Sequence, residues 1–96
     1  GSLFSFLPMI FTYFENLMIA YYAPNRNNEN AVANYLELRN AWAAKEYIIG
    51  MRNYSGMKTM QIISKIREID AKSKGLDNPN TGPGELMKEL IFFILH

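Results

Sequence analysis

His96 is the only histidine in the chain and there is no cysteine. A lone histidine at the last position offers neither a relay for general acid–base chemistry nor an N/S set for a transition metal. Asp77 and Glu85 bracket Asn78 and Asn80, an oxygen-rich group of the kind that holds calcium. Its spacing departs from the EF-hand pattern at several positions, and ordinary loop composition accounts for it. Gly82-Pro83-Gly84-Glu85 opens onto an apolar run, and backbone N–H groups at a helix start attract anions. Pro83 removes one donor, no lysine follows where a phosphate loop would place it, and no strand precedes it. The segment reads as a plain helix-start turn. Serine, threonine and tyrosine hydroxyls are present without a base to activate them. Asn53-Tyr54-Ser55 matches a glycosylation sequon, a short pattern that recurs by chance. The expectation is a chain that is not an enzyme, with no cofactor and no metal.

Composition narrows the class further. The chain has 96 residues, 49% apolar and 20% charged, with a formal charge of +1. That is ordinary globular chemistry, and a charge so near zero does not by itself imply nucleic acid or membrane. A chain this short buries roughly 60–65% of its unfolded surface and holds one core. The absence of cysteine fits a reducing cytoplasm. Gly1-Ser2 reads as a tag remnant, and residues 3–96 as one domain cut from a longer protein. The segment Leu3–Tyr22 is strongly apolar, but it carries Glu15 and Asn16 at its middle, where a bilayer would oppose them. A buried helix is expected there, not a membrane span.

The elements that position these residues follow from periodicity and caps. Ser5 is expected to cap a first helix with Pro8 in its first turn and Ile10, Phe14, Leu17, Met18 and Tyr21 inward. Ala23-Pro24 ends it. Asn27 or Asn28 is expected to cap a short second helix carrying Ala31, Val32, Tyr35 and Leu36. A third helix is predicted over roughly 41 to 53. Ser55 is expected to start a fourth, over 56 to 74, with Met57, Met60, Ile63, Ile66 and Ile69 as the apolar set and Ile62 widening it. Asp70 and Lys74 stand in the favourable i,i+4 order, and Gly75 suits the left-handed position past the last turn. A Pro/Gly-rich loop at 76–84 leads to a fifth helix, over 85 to 95, striped by Leu86, Leu90, Phe93 and Ile94. No period-two run is present, so the fold class is all-α, a single domain of about five helices.

Two binding readings arise from these elements. Residues 29–51 run helix, brief turn, helix, with small Ala33 in the first, which is similar to a helix-turn-helix DNA reader. Its second helix, however, opens with Ala41, Trp42, Ala43 and Ala44 and has only Lys45 and Arg52 as cations, against Glu46. Residues 41 to 75 carry seven Lys or Arg against Glu46, Glu68 and Asp70. That excess is either a solvated face or a surface for an acidic partner or a nucleic-acid backbone.

A family pattern organises the whole. "NAWAAKEYIIGMRNYSGMKTMQIISKIREIDAKSKGLDNP", followed by "GELMKELIFFIL", resembles the C-terminal domain of the delta subunit of the bacterial DNA polymerase III clamp loader. The pattern is an ordered set: Lys45, a break at Asn53 to Gly56, then Asp70, Lys74, Gly75, and the Leu86–Leu95 helix. "FENLMIAYYAPNRNNENAVANYLEL" agrees with the family's first two helices, so the resemblance spans nearly the whole chain. It implies two ATPase-like modules upstream, about 240 residues, and a delta subunit without ATPase activity of its own inside a DNA polymerase holoenzyme. It implies that this domain joins delta-prime and the tau or gamma subunits in a five-membered collar in the bacterial cytoplasm. The sliding clamp would be gripped only by the upstream part, and any DNA contact would be weak or indirect. The equivalent collar domain of delta-prime or tau shares the fold and stays open as an alternative.

A collar domain needs apolar anchors that find neighbours, and aromatic residues commonly dominate such contacts. Tyr21, Tyr22, Trp42, Phe92 and Phe93 are the candidates, lying near helix ends or off the main stripes. Lys45, Asp70, Lys74 and Gly75 mark the family; Asp70 and Lys74 are expected to fasten the fourth helix to the loop and the fifth helix.

Overall fold

Five α-helices and one 3-10 turn make up the computed structural model, which describes residues 2–75 and 82–96, with side-chain surroundings from Ser5 onward. In chain order these are α1 (Ser2–Ala20), α2 (Glu29–Tyr35), the 3-10 turn Ala41–Ala43, α3 (Ala44–Asn53), α4 (Gly56–Ser73) and α5 (Pro83–Leu95). The all-α expectation holds. Gly1, most of the loop expected at 76–84, and Asp77, Asn78 and Asn80 lie outside the described residues.

α1 begins earlier than its local signals suggest. Ser5 and Pro8 both lie inside it, so Ser5 is not the cap and Pro8 is not in the first turn. A proline in a helix interior removes the bond to the carbonyl four residues back and costs about 3 kcal/mol. Tertiary burial outweighs that here. Leu7 is buried and Phe6 packs on the same cluster, which holds the turn preceding Pro8 in helical geometry. The helix then tightens and stops through i→i−3 bonds from the N–H groups of Tyr21, Tyr22 and Ala23.

α2 is capped by Asn28, whose side chain accepts the Ala31 N–H at 2.9 Å. Its far end closes in a Schellman arrangement. Leu38 N–H donates to the Ala33 carbonyl at 2.8 Å, and Glu37 N–H to that of Asn34. Glu37 takes the left-handed position with φ 57°, a conformation usually left to glycine. Asn40 then caps the 3-10 turn through the Ala43 N–H. Trp42 therefore stands on a 3-10 turn rather than in an α-helix. Ser55 caps α4 by accepting the Lys58 N–H at 3.0 Å. At the other end of α4, Gly75 adopts φ 75° and donates to the Lys72 carbonyl at 2.9 Å.

The buried line of α4 runs Thr59, Ile62, Ile66 and Ile69. This corrects the expected stripe: Met57 and Met60 point outward, and Ile62 is at the centre. Thr59 is tolerated in the core because its hydroxyl donates to the Ser55 carbonyl at 2.8 Å.

Two apolar clusters result. One joins Leu7, Phe14 and Leu17 of α1 to the α4 line and to Leu86 and Leu90 of α5. The other gathers Ala20, Ala23, Val32, Ala33, Ala44 and Ile48, where α1 ends against α2 and α3. The molecule is drawn out, 46 × 24 × 18 Å, with a radius of gyration of 14.9 Å. A chain of this length packed as a sphere would have about 12–13 Å. Much apolar surface therefore stays outside.

Candidate protein-interaction surface

α4 and α5 lie side by side, joined above their shared core by charge. Glu89 of α5 accepts from Lys65 at 2.6 Å and from Lys72 at 3.2 Å, and Glu68 lies 3.0 and 3.1 Å from the same two lysines. The bond to Glu89 is the main influence that raises the Lys65 pKa, and the bond to Glu68 raises that of Lys72. The bond from Lys65 holds both carboxylates below the usual range, with Lys72 adding to it. Lys58 reaches across as well: its Nζ donates to the Phe93 carbonyl at 2.7 Å and sits 4.2 Å from the centre of that ring.

Beside this network, a groove of about 420 Å³ is bordered by Met57, Met60, Gln61, Lys65, Glu68 and Phe93. Met57 is 71% exposed, Met60 59% and Phe92, on the last turns of α5, 66%. Leu95 is exposed too. The opposite half has its own uncovered apolar side chains. Trp42 is 72% exposed, and Tyr22, Tyr35 and Ile49 are open to solvent. Isolated exposed apolar residues are common, but large aromatic and methionine side chains on both halves of so small a chain are not.

The five aromatic candidates divide by environment. Tyr22, Trp42 and Phe92 stand at the surface, Phe92 stacking on His96 with ring centres 4.4 Å apart. Tyr21 and Phe93 are engaged inside the domain. The Tyr21 hydroxyl donates to the Met51 carbonyl at 2.9 Å and lies against that of Tyr54, holding the C-terminal end of α3 against α1. Phe93 packs on the core under Lys58. Met57 and Met60 belong to the surface although their sequence spacing placed them in the core.

Lys45 is exposed on α3. Asp70 and Lys74 pair with each other at 2.9 Å, within one turn of α4. The ties from α4 to α5 come instead from Lys65 and Lys72 through Glu89, residues whose pairing has no local sequence signal. Among the described residues, no three His, Cys, Asp or Glu side chains are grouped to hold a metal ion, and no helix is long and apolar enough to cross a membrane.

No protein-family model matches the chain, and neither the curated proteins nor the solved structures yield a match.

Proposed function

We propose that this chain is the collar domain of a DNA polymerase III delta subunit, a non-catalytic module that keeps delta in the bacterial clamp-loader pentamer. The observation that carries this reading is the pair of uncovered apolar regions on the two halves of the domain. Met57, Met60 and Phe92 stand uncovered on α4 and α5, and Tyr22 and Trp42 on the turns flanking α2. A subunit inside a closed ring needs two unlike faces, one for each neighbour, whereas a twofold dimer needs one self-complementary face. The ordered set Lys45, Asp70, Lys74, Gly75 and the apolar last helix adds the family resemblance, and the left-handed φ of Gly75 fits the role that pattern gives it. On this reading the neighbours are delta-prime and tau or gamma. The clamp is held by chain not included here, and the setting is the bacterial cytoplasm.

The test is sedimentation of this domain mixed with delta-prime and tau or gamma at high concentration. A mixed complex that Trp42→Ala and Phe92→Ala weaken supports the collar role. If neither this domain nor the delta subunit that would contain it associates, the reading fails. Binding to duplex DNA with a steep loss in rising salt, in place of subunit association, would favour the helix-turn-helix alternative.

A further inference from the structure

The excess of cations in residues 41–75 is mostly accounted for by internal partners. Lys65 and Lys72 serve Glu68 and Glu89, and Lys74 serves Asp70. Lys58 bonds the Phe93 carbonyl, and the Arg67 guanidinium lies 5.7 Å over the Phe11 ring. Lys45 and Arg52 remain. Arg52 does not stand alone: it lines a pocket of about 260 Å³ together with Arg26, Asn27, Tyr21, Ile48 and Met51. Arg26 comes from the turn after α1, 26 positions away from Arg52 in sequence, so no local pattern reveals the pair.

Among the described residues, neither guanidinium forms an ion pair with a carboxylate. The nearest acids in sequence, Glu29 and Glu46, are not paired with them. Two like charges sharing one pocket without a counter-charge repel each other, and an anion between them relieves that repulsion. The Arg26 guanidinium also lies over the Tyr21 ring, 5.5 Å from its centre. That ring is in turn fixed by the bond from its hydroxyl to the Met51 carbonyl. A guanidinium over an aromatic face keeps N–H donors for a ligand, and its planar fork loses less entropy per bond formed.

We propose that the Arg26/Arg52 pocket binds a phosphoryl group. Two guanidinium forks and the Asn27 amide offer more donors than the two oxygens of a carboxylate can take, and a tetrahedral phosphoryl group can accept from several directions. Ile48 and Met51 give the pocket an apolar wall against which the carbon part of a phosphate ester can rest. The phosphoryl group can belong to a free phosphate or to the backbone of a nucleic-acid strand. None of the uncovered residues Met57, Met60, Phe92, Tyr22 and Trp42 lines this pocket.

The test titrates the full chain with two probes, inorganic phosphate and a labelled single strand of roughly 12 nucleotides. Amide shifts of Arg26, Asn27, Met51 and Arg52 report occupancy. Arg26→Gln and Arg52→Gln together remove both forks; both side chains are exposed, and a circular-dichroism melt checks that folding is kept. Lys74→Gln with Lys88→Gln removes equal charge from α4 and α5 as the control. The expected result is binding that weakens about tenfold for each lost guanidinium contact and is unmoved by the control pair. If the strand is the ligand, log affinity falls against log salt with a slope of about −0.7 for the one phosphate neutralised. Binding of inorganic phosphate alone identifies a free-anion site. The assignment is overturned if neither probe shifts these amides, if the double variant binds as well as the parent, or if the control pair weakens binding equally.

Discussion

Gly50 of α3 faces Tyr13 of α1 so closely that a methyl group at Gly50 would collide with the phenol oxygen and lie 2.8 Å from Leu17 Cδ1. The same hydroxyl donates to the Glu46 carbonyl at 3.2 Å, and the ring stacks on Tyr47. Burial of this phenol raises its pKa, so it stays protonated and able to donate. Gly50→Ala should therefore destabilise the domain although alanine favours helix by up to about 1 kcal/mol. Overpacking costs of about 1–3 kcal/mol exceed that gain. Urea unfolding should show the loss, and adding Tyr13→Phe should restore part of it. Unchanged stability in Gly50→Ala would mean that α1 and α3 are not this close in solution.

The two left-handed residues should respond in opposite senses. Glu37 has a side chain at φ 57°, where a non-glycine residue is disfavoured by about 1–2 kcal/mol. Glu37→Gly removes that strain and adds unfolded-chain entropy of about 0.4–1 kcal/mol, so a net gain of roughly 0.5 kcal/mol is expected. Gly75→Ala at φ 75° should lose about 1 kcal/mol. Thermal melts of the two variants would move in the same direction only if one of these turns is built differently.

Within the α4 line, chemistry and volume separate cleanly. Thr59→Val removes a hydroxyl but leaves the Ser55 carbonyl with its helix bond from the Thr59 N–H at 2.9 Å. A change within about 1 kcal/mol is expected. Ile62→Ala opens a void at the fully buried centre and should cost about 2–5 kcal/mol. Equal effects of the two in chemical denaturation would place the core on another face of α4.

The Lys65–Glu68–Lys72–Glu89 network makes stability depend on pH at both ends. Glu68 and Glu89 have folded pKa values below their unfolded ones, so their contribution is present above about pH 4.3 and is lost as acid carries the pH through the folded values. Lys65 and Lys72 are raised, so theirs is present below about pH 10.4 and fades as base carries the pH through the folded values. The four side chains are partly open to solvent, so the effect is modest and shrinks in high salt. Melting temperature should hold level between about pH 5 and 10 and fall on either side, and Glu89→Gln should flatten the acid limb. An acid limb unaltered by Glu89→Gln would remove this network as its source.

Surface and internal aromatics should part in the same assay. Trp42→Ala and Phe92→Ala should each stay within about 0.5 kcal/mol of the parent, because neither ring is covered. Tyr21→Phe should cost about 1 kcal/mol through its lost bond to the Met51 carbonyl. Large destabilisation by Trp42→Ala would show that ring to be packed within the chain.

The features legible in the sequence are those with local causes. Asn28, Ser55 and Gly75 announce the ends of helices because a cap needs only the next turn. The phase of α4 was not legible. Methionine and isoleucine at 57, 60, 62, 63, 66 and 69 cover more than one face, and packing against α1 and α5 decides which side is buried. Pro8 misled for a related reason: its local penalty is set against the burial of Leu7, which depends on residues far along the chain. Glu37 gave no sign because only the closed turn forces its backbone. Of the candidate surface, Tyr22, Trp42 and Phe92 can be named from position, whereas the spacing of Met57 and Met60 points them inward. The Glu89 ties and the Arg26/Arg52 pair join distant segments, and nothing short-range encodes them.

Tyr47 and Met51 pack against both apolar clusters. The smaller cluster is built largely from alanines with Val32 and Ile48, so its own burial supplies little of the driving force for folding. The two halves are therefore coupled through Tyr47 and Met51, together with the contacts of Tyr13, Leu17 and Tyr21 that hold α3 on α1. Amide hydrogens of α2 should exchange through partial opening while those at the centre of α4 wait for global unfolding. The end of the molecule that carries Trp42 should therefore open first, ahead of the α1–α4–α5 core.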